Sequence, residues 1–113
     1  MSGQLDLVFG AVADPTRRAI LSALRKGPAS ITALAEPFDI SFAGVSKHIL
    51  VLEHAGLVRR EIVGREHHCH LAPEPFEAAS GWLEGYRDFC ESRLDALEAR
   101  VLEAKCERSR RRR

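Results

Sequence analysis

The chain has 113 residues, 45% apolar and 29% charged, which fits one domain and favours a folded soluble protein over a disordered one. No run approaches the roughly 20 apolar residues of a membrane span, and Cys69, Cys90 and Cys106 are too few and scattered for a secreted disulfide scaffold, so a cytoplasmic location is expected. Net charge is +1 over residues 1–72, −5 over 73–104 and +5 over 105–113, and the signatures GxxxxGK, GxSxG, HExxH and GxGxxG are absent, so no enzymatic role is expected.

Leu5, Val8, Phe9 and Val12 recur at i, i+3, i+4 and i+7, which predicts a first helix over about 4–12. Asp14-Pro15 is a strong helix start, because the carboxylate accepts from free backbone amides and proline at the first position loses no useful donor. The second helix turns Ile20, Leu21 and Leu24 inward and is ended near Lys26 by Gly27-Pro28. Ser30 or Thr32 can cap a short third helix carrying Ile31, Leu34 and Ala35, which Pro37 limits. Ser41 caps a fourth helix that runs through Ala55, buries Val45, Ile49, Leu50 and Leu52, and stops at Gly56.

After Gly56 the hydrophobic period shortens. Leu57–Val63 and Glu66–Leu71 flank Gly64-Arg65, the pattern of a hairpin over 57–71 with a short glycine-containing turn. The expected fold is mostly α with a small β-hairpin, in the order α-α-α-α-β-β-α, a winged helix-turn-helix. Residues 74–103 read as a last helix about 45 Å long if unbroken, with Leu83, Tyr86, Cys90, Leu94, Leu97 and Val101 at three- and four-residue steps. Such a stripe needs cover, and the economical cover is the first helix together with the same surfaces of a second copy, which predicts a homodimer. Gly81 and Gly85 mark either close helix approach at that seam or a break into two helices. One domain is expected over 1–104, dimerising through about 4–12 and 74–103, with 105–113 a basic disordered tail. Its terminal arginines form either a solvated tail or extra phosphate contacts.

The fourth helix carries the chemistry. Its opening, Ser41 to His48, combines small residues with a hydroxyl, a cation and an imidazole at Ser46, Lys47 and His48, as a helix entering the DNA major groove requires. Arg65 at the hairpin tip, with Arg59 and Arg60 at its base, is placed to meet phosphates.

Asp14-Pro15-Thr16-Arg17-Arg18, Leu34-Ala35-Glu36, Val45-Ser46-Lys47-His48-Ile49, Leu52, Ala55-Gly56-Leu57-Val58 and Gly64-Arg65-Glu66 occur in order. This set resembles the ArsR/SmtB family of bacterial winged-helix repressors over about residues 5–100. Residues 73–100 are similar to a subgroup of small members that generally lack the familiar metal sites. The resemblance implies a dimer that binds an inverted-repeat operator, often at its own promoter, and releases it when an effector binds. It places the DNA contacts at Ser41, Ala43, Gly44, Ser46, Lys47 and His48, with Arg65 in the wing. Phe42-Ala43-Gly44 departs from the more polar segment many members carry there.

The resemblance also bears on metals. Metal-sensing members carry a Cys-containing motif on the third helix, whereas Leu34 to Asp39 has no thiol here, and no histidine follows His70 to supply the last helix. His67-His68-Cys69-His70 has suitable ligand types, but strand alternation puts His68 and His70 on one face and His67 and Cys69 on the other. No metal or cofactor is therefore expected. Two alternatives stand beside the main reading: a metal- or redox-responsive repressor using His67, His68, Cys69, His70, Cys90 or Cys106, and a winged-helix protein-interaction module that does not read DNA.

Overall fold

A computed structural model describes residues 2–111, with side chains from 3 to 108. Its elements are α1 (Ser2–Val12), α2 (Pro15–Leu24), β1 (Ala29–Ser30), α3 (Ile31–Ala35), α4 (Phe42–His54), β2 (Val58–Val63), β3 (Glu66–Leu71), α5 (Pro73–Glu84) and α6 (Arg87–Arg111). Three helices start on an oxygen-bearing side chain that satisfies one of the free N–H groups of the first turn. Asp14 accepts from the Arg17 backbone at 3.0 Å to cap α2. Ser30, rather than Thr32, accepts from Ala33 to cap α3, and Ser41 accepts from Gly44 to cap α4, both at 3.1 Å.

The end of α4 is equally well defined. Gly56 adopts φ +78°, its N–H bonds to the Glu53 carbonyl at 2.9 Å, and the Leu57 N–H reaches back to the Leu52 carbonyl at 3.0 Å. This Schellman closure needs a left-handed residue, which glycine adopts without steric cost. The chain then enters β2, which pairs antiparallel with β3 in register from Val58 opposite Leu71 to Val63 opposite Glu66. Gly64 has φ +65° while Arg65, like every described non-glycine residue, does not, the pattern of a type II′ turn with glycine first. A third strand was not expected: Ala29 and Ser30 pair with Cys69 and His68, giving the order β1-β3-β2. Two residues are too short to show a period of two.

The described chain divides into two compact units, one ending at Ala79 and one starting at Ser80, where the sequence suggests one domain over 1–104. The core of the first unit gathers Val8 and Ala11 from α1, Ile20, Leu21 and Leu24 from α2, Ile31 and Leu34 from α3, the inner face of α4, and Leu57, Val58 and Cys69. Val8 is only 2% exposed, so this residue, expected at a dimer seam, is instead part of the chain's own core, with Leu5, Phe9 and Val12 packed partly against it. Leu50, expected in the core, stands 57% exposed.

Two further expectations are corrected in the C-terminal part. The last helix is not continuous: α5 ends at Glu84, and Gly85 and Tyr86 form a turn in which their N–H groups bond to Trp82 and Leu83 at 3.3 and 2.9 Å. Of the two readings of the paired glycines, the break is the one observed. Helix α6 also continues through residue 105 to Arg111, where a disordered tail was expected, since Lys105, Glu107 and Arg108 are good helix formers. Arg112, Arg113 and the side chains from 109 onward lie outside the described residues. Among the described residues no helix is long and apolar enough to cross a membrane.

Gly56→Ala should destabilise the protein by more than about 1 kcal/mol in chemical denaturation, because alanine resists this φ and its Cβ would lie 3.3 Å from Pro75 Cγ. Equal midpoints for variant and parent would contradict this closure of α4.

Candidate nucleic-acid interface

Helix α4 has two unlike faces. Val45, Ile49 and Leu52 are 0% exposed. Ala43, Lys47, Leu50 and His54, at i, i+4, i+7 and i+11, form the opposite, exposed stripe. Of the residues assigned to DNA contact, Ser41 is exposed while its Oγ serves as the cap. Ala43 and Lys47 are exposed, and Gly44 and Ser46 are half-buried. Arg65 is exposed at the hairpin turn, beyond strands of six residues that reach about 20 Å. Among the described residues no side-chain hydrogen bond or ion pair engages Lys47 or Arg65.

His48 is not a freely offered imidazole. Its side chain is 25% exposed, and its Nδ1 lies 3.2 Å from Arg17 Nη1 and 4.0 Å from Asp14 Oδ2. Arginine only donates, so Nδ1 is the acceptor of this bond and Nε2 carries the hydrogen of the neutral ring. The same guanidinium donates through Nε to the Ala11 carbonyl at 2.7 Å and through Nη2 to the Gly10 carbonyl at 3.2 Å, while Arg18 donates to Val12 at 2.9 Å. Arg17 thus satisfies carbonyls at the end of α1, which no intrahelical partner reaches, and joins them to α4. The hydrogen bond from the Arg17 backbone, helped by the charge of Arg17, holds the Asp14 carboxyl below its ordinary value despite some desolvation. Sequence reasoning found Asp14 as a cap but missed Arg17, since nothing local shows that a side chain on α2 reaches both α1 and α4.

The hairpin base does not offer its two arginines to phosphate as expected. Arg59 is paired with Glu74 at 3.2 Å. Arg60 shares the inward face of β2 with Val58, pairs with Glu53 of α4, and leaves its Nε buried without a partner. The alternation of β2 was the signal for this: Val58 inward requires Arg60 inward. On β3, His68 bonds to Glu66 at 2.9 Å, while Cys69 is wholly buried between Ala29 and Arg60, and burial pushes its thiol up. Among the described residues no three His, Cys, Asp or Glu side chains gather around a common point.

In the second unit, Leu83, Tyr86, Leu94, Leu97 and Val101 are 46–64% exposed, as are Phe89 and Leu102 beside them. Cys90 and Cys106 are exposed too. The polar side of this unit is tied locally: Arg87 bridges Glu84 at 2.9 Å and Glu91 at 3.1 Å, and the Arg93 guanidinium lies 5.3 Å from the Phe89 ring centre.

Residues 12–61 match a family model described as a helix-turn-helix domain. The chain is 32% identical over 76 residues to the transcriptional repressor SdpR of Bacillus subtilis, covering 67% of this chain and 84% of the relative. The crystal structure of the ArsR family transcriptional regulator RHA00566 superposes with a TM-score of 0.74 at 42% identity, covering 81% of this chain and 95% of that one. The homodimeric winged helix-turn-helix DNA-binding domain of Mb0332 from Mycobacterium bovis shares the fold, with a TM-score of 0.61 at 22% identity over 81% and 82% of the two chains.

Because the folded-state pKa of Asp14 is depressed, its contribution to stability is complete above the ordinary carboxylate value near 4 and is lost as pH falls through the lower folded value. Asp14→Asn keeps a capping oxygen but cannot titrate, so melting temperatures measured from pH 6 to pH 2 should fall less steeply for the variant. Parallel curves would contradict the assignment. Cys69 should also react with iodoacetamide far more slowly than Cys106 in the native protein and catch up in denaturant; equal native rates would disprove its burial.

Proposed function

Because the chain belongs to the ArsR family of winged helix-turn-helix transcriptional regulators, we propose that it is a homodimeric repressor that reads a pseudo-palindromic operator through α4 and releases it when an effector binds. The observation that carries this reading is the division of α4. Its inner face is fully buried, while Ala43 and Lys47 on the outer face and Ser41 at the start are open to a groove. Ser41, Ala43, Gly44, Ser46 and Lys47 form the reading segment, and Arg65 meets the phosphate backbone from the hairpin turn. His48 takes part from the edge of this surface, through its Nε2–H, while Arg17 holds its other nitrogen.

The dimer seam is assigned to Leu83, Tyr86, Cys90, Leu94, Leu97 and Val101, which are exposed, as side chains at a protein–protein contact are in the free chain. Residues 73–104 carry a net charge of −5, which suits them to a protein contact and not to phosphates. On α1 the exposed apolar side chain is Leu7, at 42%. A two-fold dimer then presents two copies of α4 about 34–36 Å apart, one turn of DNA.

Lys47→Ala and Arg65→Ala should each weaken binding to a duplex from the gene's own upstream region. The loss should be about 1–3 kcal/mol for a lysine that reaches a base edge, and the salt dependence should become shallower by nearly one unit per lost phosphate contact. Sedimentation should show an unchanged dimer. If both variants bind like the parent, α4 and the hairpin turn are not the reading surface.

A further inference from the structure

The first turn of a reading helix is the part that meets base edges, and here it is almost without polar side chains. Ser41 Oγ is engaged by the Gly44 N–H at 3.1 Å, Phe42 and Ala43 are exposed, and Gly44 has no side chain. The next fully exposed polar group is Lys47, more than a turn further on. Phe42 opens α4 with 55% of its surface in solvent. Ile40, 42% exposed, sits at the same end, where a Cβ at Gly44 would lie 3.7 Å from its Cβ.

Base pairs present donors, acceptors and one apolar group in the major groove, the C5 methyl of thymine. An apolar first turn has one base feature it can match without leaving a polar group unpaired. We propose that Phe42 is a specificity-determining residue that covers the C5 methyl of a thymine in each operator half-site. The inference rests on the assignment of α4 as the reading helix and adds the chemistry of what its first turn recognises. Phe42 stands beside Ser41 and Ala43 at the N-terminal end of α4, the end assigned to the groove, which favours DNA over a protein partner as the occupant of this patch.

The full chain is used to enrich duplexes from a randomised library, and each thymine of the enriched site is replaced in turn by deoxyuridine, which keeps pairing and removes only the methyl. The parent should lose about fourfold in affinity at one thymine per half-site, the value of one buried methyl-sized group. Phe42→Ala should lose less than twofold from the same replacement. Phe42 is outside the core, so this variant folds, as its melting curve will verify.

An enriched site that tolerates uracil throughout, or equal sensitivity in parent and variant, overturns the assignment of Phe42 while leaving α4 as the reading helix. A Phe42→Ala protein that loses its dimer but keeps the parent's thymine dependence also overturns it, since the ring then belongs to a protein contact. A parent that enriches no sequence overturns the DNA-reading assignment and this inference with it.

Discussion

Burial of one face of α4 is the constraint on which the rest depends. Val45, Ile49 and Leu52 have no solvent contact, and burying side chains of this size stabilises a fold by about 1.5–3 kcal/mol each, an upper range because unfolded chains already hide some surface. A turn of α4 by a single residue would pull one of them out and press Ser46 toward the core. The face left outside is therefore held in one orientation by packing. The Ser41 cap and the Gly56 closure set its two ends, so the length and phase of the exposed face of α4 are fixed.

Arg17 adds a polar joint to this apolar one. One guanidinium reaches two carbonyls at the end of α1 and the imidazole on α4, while its own backbone N–H holds the Asp14 cap. Three helices meet at one planar group whose donors diverge in fixed directions, a geometry that lysine's single ammonium cannot reproduce. This group links the end of α1 to His48 on α4. Arg60 does comparable service on the other side, joining β2 to α4 through Glu53.

Charge and apolar surface are separated along the chain in a way that suits the proposed work. Lys47 and Arg65 belong to the first unit, which carries the proposed reading surface. Residues 73–104, with a net charge of −5, carry large exposed apolar side chains from Trp82 to Leu102, a surface suited to protein and not to a polyanion. Cys69 and the neighbouring histidines make a different point: four ligand types in a row do not form a site when the pleat sends alternate residues to opposite faces, one of them into the core.

Local chemistry made much of this protein legible from its residues alone. Caps at Asp14 and Ser41, the stop at Gly56, the change of period after it and the turn at Gly64-Arg65 each depend on neighbours within a few positions, so the first four helices and the hairpin could be placed without a structure. What tertiary packing alone decided is where one element meets another. It added the two-residue strand β1, drew Val8 into the chain's own core, turned Arg60 inward, and brought Arg17 to His48 across 31 positions. Pairings over such separations leave no periodic trace in the chain, because their partners are chosen by the shape of the packed core and not by spacing along the sequence.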